Sequence, residues 1–171
     1  MGIIKVLLPV DGSRNCEFAV KYVINQFMSN TAMEIHLLNV QRPFSQDIAR
    51  FVSSKNRLDY HRDEAEKALR PVRKMLDRFG IPYSVHAEVG EKARCIADTA
   101  RRLHCDQIVM ATARKNSLTR WVETSLTNRV LELTPVPVEL IAGDAVSKYE
   151  RYGIPAALTA LLGLLLAAVA D

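Results

Sequence analysis

Cysteine is scarce in this chain: Cys16, Cys95 and Cys105 are odd in number, sit within amphipathic patterns or beside strands, and include no CxxC pair. That spacing excludes a disulfide framework, and the thiols are expected to be reduced, small hydrophobes. Histidine is equally sparse, and His36, His61, His86 and His104 are too scattered to offer metal-ligand spacing. His36, inside an apolar strand, is expected to be a hydrogen-bonded core histidine rather than a ligand. Aromatic residues make up only 6% and do not interleave with the basic ones, so a net charge of +4 and a pI near 9.1 do not amount to a stacking platform for nucleic acid. Solvated helix faces that also carry Glu and Asp account for the charge, and no nucleic-acid partner is expected. Gly2 to Val10 lacks a basic region and a cleavage site, which excludes a secretory signal in that stretch and implies a cytoplasmic protein. No nucleophile, base and orienting acid can be assembled by motif, so catalysis is not expected.

What is present is an alternation of strand and helix patterns. At 171 residues, 49% hydrophobic and 25% charged, the chain is large enough for one domain with a sizeable core. Ile3 to Val10 is a nearly continuous apolar run, as a strand buried on both faces requires. Asp11, Gly12 and Ser13 make a turn, with Ser13 as the expected N-cap of a helix that places Cys16, Ala19, Val20, Val23, Ile24 and Phe27 on one face. A strand comes next at Glu34 to Val40, then a polar connection from Gln41 to Arg57 that is either mobile or partly helical. Leu58 to Phe79 has a helical period, which Pro71 should kink or split, and Gly80 is its expected C-terminal cap. Strand Tyr83 to Val89, helix Gly90 to His104, strand Gln107 to Thr112, helix Thr119 to Leu133 and strand Val136 to Ala142 complete the pattern. Alternation of this kind predicts an α/β fold with a five-stranded, parallel, doubly wound sheet.

In such a sheet, ligands bind at the carboxyl ends of the strands, which directs attention to the basic, hydroxyl-rich loop from Ala113 to Arg120. The turn Val10-Asp11-Gly12-Ser13, the segment VHAEVGEKARCIADTARRLHCDQIVMAT and the stretch Asp106 to Ala142 resemble the universal stress protein family. The resemblance covers Ile3 to about Ala142 and implies a Rossmann-like domain of the adenine-nucleotide α-hydrolase-like kind. Nucleotide-binding members carry Gly, two residues, Gly, nine residues, then Gly and Ser or Thr. On that spacing their glycines fall on Ala111, Arg114 and Thr124, and only Ser125 matches.

Glycine lets a backbone approach phosphate closely, so the side chains of Arg114 and Thr124 should obstruct it. The implied function is therefore a stress-response protein acting through protein contacts, without a cofactor. The alternative is an ATP-binding switch. In it Asp11 and Val40 would hold the nucleoside, and Met110, Ala111, Arg114, Lys115, Thr124, Ser125 and Leu126 would line the phosphate side. Asp11 has a second reading, as a turn residue that bonds its own backbone.

Pro135 and Pro137 remove donors from one edge of the last strand, which marks it as an edge strand with the proline side expected outward. The resemblance implies a homodimer through Val136 to Ala142. Residues 1–143 are thus expected to form the α/β domain and 144–153 a charged linker. Residues 154–171 form a hydrophobic C-terminal segment, read as an apolar helix. Ile154 to Ala170 is near the short limit for spanning a bilayer, and its six leucines contribute roughly −3 kcal/mol of insertion energy, partly cancelled by Pro155, Thr159 and Gly163. Membrane association and packing on the folded domain are the two readings of that run.

Overall fold

The computed structural model describes residues 2–114 and 126–145. The elements are β1 (Ile4–Pro9), α1 (Cys16–Ser29), β2 (Met33–Gln41), α2 (Gln46–Phe51), α3 (Ser54–Arg78), β3 (Tyr83–Val89), α4 (Lys92–Arg102), β4 (Gln107–Arg114), α5 (helical over 126–133) and β5 (Val138–Ala145). All five strands are parallel, in the order β3-β2-β1-β4-β5. The chain winds outward from β1 to β3, then returns beside β1 and winds the other way. The reversal therefore falls between β1 and β4.

Each face of the sheet is covered because alternate strand residues are apolar on both sides. Val6, Leu8, Ile35, Leu37 and Val109 pack on α1 and α3; Leu7, Leu38, Ile108 and Met110 pack on α4 and α5 through Ala93, Ile96, Ala100 and Val130. The expected C-terminal apolar helix lies outside the described residues, as does the N-terminal part of the helix expected from Thr119.

Several local expectations are corrected, and the open one for the 41–57 connection is decided. Ser13 is not the N-cap of α1: Asn15 occupies that position without a side-chain bond, and Ser13 instead offers its carbonyl to the Cys16 N–H across a preceding turn. The 41–57 connection is largely helical, because Ser45 and Ser53 each accept a bond from a backbone N–H three residues on and so start α2 and α3. α3 runs through Pro71 unbroken. Pro71 is exposed, so the carbonyl it leaves unpaired faces water, while buried Leu69, Val72 and Leu76 hold both halves on the sheet.

Pro137, just before β5, faces inward rather than outward. Ile108 N–H donates to the Pro137 carbonyl at 2.8 Å, and a residue's N–H and C=O leave a strand on the same edge, so Pro137 looks toward β4. It stands one position before the strand begins, where a missing donor costs no ladder bond. The free edge of β5 thus presents the N–H groups of Val138, Leu140 and Ala142.

Candidate functional site

β1 and β4 are partnered only at Val6–Gln107 and Leu7–Ile108, whereas β1 and β2 stay in register up to Pro9–Leu38. Past Leu7 and Ile108 the two central strands have no further paired residues, and a cleft opens at their carboxyl ends where the winding reverses. It is lined by Val10, Asp11, Val40, Met110, Ala111 and Leu126, with Cys16, Ile96 and Lys92 around them. The structure thus brings five of the nine residues singled out from sequence to one cleft. Arg114 ends β4, with its backbone only described, and Lys115, Thr124 and Ser125 lie outside the described residues.

The β1 side of the cleft is held by local bonds. Ser13 N–H donates to Asp11 Oδ1 at 2.9 Å, the turn role foreseen as one reading of Asp11, while its side chain still lines the cleft. Gly12 between them has φ +77° and approaches Ala68 Cα of α3 closely enough that a Cβ would sit 3.2 Å from it. On the β2 side, buried Asn39 donates through Nδ2 to the Val10 carbonyl at 2.7 Å and accepts from Gln41 Nε2 at 2.7 Å, fastening the ends of β1 and β2 together.

Cys16 is no nucleophile. Burial and the nearby Asp11 carboxylate push its thiol up to about 12, and its sulfur points to the Pro9 carbonyl. The N-terminus of α4 borders the cleft but is already satisfied: Glu91 accepts from the Ala93 and Arg94 N–H groups at 3.0 and 2.9 Å, which holds its carboxyl below the usual range. That cap leaves those two donors unavailable to a ligand.

A second lobe continues from the first over the shared residues Asp11, Val40 and Lys92, and adds Asn39, Gln41, Arg42, Phe44 and Tyr60. Sequence reasoning missed it because its walls come from the β2–α2 connection and the first turns of α3. Neither has a period pointing at the cleft. The Phe44 ring lies 5.2 Å from Tyr60 and 5.0 Å from His61, a packed aromatic trio. Its signal in the sequence was the presence of Phe44, Tyr60 and His61 in and just after the polar connection.

His36 lies away from this cleft, on the α4 face of the sheet. It is buried, but its only hydrogen-bond contact among described residues is Nδ1 to His86 Nε2 at 3.3 Å; Nε2 comes within 3.2 Å of Glu34 without a hydrogen bond. Burial holds both histidines below their ordinary value, and for His86 the neighbouring His36 and Arg102 add to the effect.

Comparison with known proteins agrees with this architecture. Residues 3–141 match the Universal stress protein family. The universal stress protein MJ0531 of Methanocaldococcus jannaschii is 28% identical over 143 residues, which are 80% of this chain and 81% of that one. Among solved structures, a universal stress protein family protein of Arabidopsis thaliana with AMP bound is 18% identical with a TM-score of 0.60, over 83% of this chain and 93% of that one. A universal stress protein in complex with cAMP superposes with a TM-score of 0.64 at 16% identity, over 84% of this chain and all of that one. The match in sequence runs from β1 into β5 and the match in fold spans the same domain: the chain belongs to the universal stress protein family.

Proposed function

We propose that this chain is a non-catalytic member of its family, working as a homodimer through protein contacts and not as an ATP-driven device. The observation that carries the reading is the phosphate side of the cleft. Ala111 carries a Cβ where nucleotide-binding relatives have glycine, Arg114 and Thr124 fall on the other two glycine positions, and Glu91 already occupies the amides at the start of α4. A triphosphate therefore meets side chains instead of bare backbone. Calorimetric titration with ATP at near-physiological salt tests it: no binding below about 100 μM is expected, and a low-micromolar constant would overturn it. The dimer is proposed to pair the free edge of β5 with its twin, because the inward-facing Pro137 leaves that edge with intact donors.

A second reading is favoured by the cleft itself, which remains open beside Asp11, Val40 and Met110. Relatives of this fold hold AMP or cAMP. A nucleoside bearing a single phosphate needs no triphosphate cradle, so the loss of the glycines does not exclude it.

A further inference from the structure

We infer that Arg42 and Lys92 form an anion-binding lobe that takes the phosphate of a nucleoside monophosphate whose base and sugar occupy the adjoining cleft. The inference rests on the small-nucleotide reading above and deepens it by giving the phosphate a different destination from the altered glycine loop. Lys92 lines both lobes, so it stands where they meet; Arg42 lines the second. Neither is ion-paired with another described residue, whereas Lys5, Lys67, Arg73, Arg101, Arg102 and Arg129 each meet a carboxylate.

The two cations are also held in place by the backbone. Gly90 N–H donates to the Gln41 carbonyl at 2.9 Å, tying the residue before Arg42 to the turn that leads into Lys92. A Cβ on Gly90 would lie 2.7 Å from Cys95 Sγ, so this turn also packs closely on α4. On the far wall, Phe44 is packed against Tyr60 and His61, which fixes the loop that carries Arg42. Two carboxylates stand near, and both are engaged: Asp11 accepts from Ser13 N–H, and Glu91 from two helix amides. A guanidinium and an ammonium lining one lobe suit a phosphate monoester, the first as a planar fork and the second as a point charge.

The test compares adenosine with AMP, by calorimetry, on the full chain and on two double variants, Arg42→Gln with Lys92→Gln and Arg114→Gln with Lys115→Gln. Circular dichroism confirms that each is folded. AMP is expected to bind the unaltered chain at least 10-fold more tightly than adenosine. That preference should vanish in the first variant and persist in the second, with adenosine binding unchanged in both. Equal affinity for AMP and adenosine in the unaltered chain would overturn the anion lobe while leaving the nucleoside site standing. Loss of the preference only in the second variant would return the phosphate to the loop after β4. A fall in AMP and adenosine affinity alike in the first variant would make these residues structural. Binding of neither ligand would remove the small-nucleotide reading and this inference together.

Discussion

Two helices of this domain end in the same backbone motif with different residues at the position that needs positive φ. After α3, Gly80 has φ +64°, its N–H bonds Asp77 and the Ile81 N–H bonds Leu76; after α4, His104 has φ +53°, its N–H bonds Arg101 and the Cys105 N–H bonds Ala100. Both are Schellman turns, and only Gly80 meets the requirement without a Cβ clash. His104→Gly should therefore stabilise the protein by roughly 0.5 to 1 kcal/mol, and Gly80→Ala should destabilise it by about 1 kcal/mol, both read from urea midpoints. Buried His36 and half-buried His86 together have a pH signature. Their folded values lie below the ordinary one, so the unfolded chain binds more protons just below pH 6.5, and stability falls as pH drops through that point. The urea midpoint should be lower at pH 5.5 than at pH 7.5, with a smaller difference in His36→Gln, provided that variant folds. An unchanged difference would assign the pH response elsewhere.

At the scale of elements, β3 was legible from Tyr83 to Val89 to the residue, because a short apolar alternation between Pro82 and Gly90 has no other reading. The cleft was legible on its central side for a related reason: Asp11 and Val40 stand at the carboxyl ends of strands that the alternation places in the sheet. Its second lobe was not, since it brings Lys92 beside Arg42 and Phe44 from a segment far off in the chain, where Gly90 N–H bonds the Gln41 carbonyl. The edge of β5 was legible in position but not in orientation. Which way Pro137 faces depends on the register with β4, and register is a tertiary property. The orientation decides which substitution tests the dimer. Glu139 looks inward along the ladder and its side chain accepts from the Tyr22 hydroxyl, so a proline there would harm the monomer. Leu140→Pro removes a donor from the free edge alone. It should yield a folded monomer in analytical ultracentrifugation; a persisting dimer would place the interface elsewhere.

At the scale of the whole molecule, stability turns on whether the domain needs the residues beyond β5. That strand extends to Ala145, past the boundary expected at Gly143, and Gly143 is itself buried, with the Asn15 side chain against it. A truncation at Gly143 would cut into a paired strand, since Arg114 still partners Ala145. Truncation after Ala145 keeps the sheet whole. Both of its faces are already covered by helices, and no helix among the described residues is long and apolar enough to cross a membrane. The shortened protein is therefore expected to melt within about 2 °C of the full chain and to keep the proposed dimer, since about 1 kcal/mol would move the midpoint by roughly 2 to 8 °C in this size range. If the run from Ile154 to Ala170 packed on the domain, its removal would uncover apolar surface worth several kcal/mol at roughly 25 cal/mol per Å², and the midpoint would fall by about 10 °C or more. Sedimentation of the full chain with and without lipid vesicles separates the remaining readings. A tail that neither supports the fold nor partitions into vesicles would be left without either role expected of it, whereas partition abolished by Leu162→Arg, at unchanged melting temperature, would identify it as the anchor.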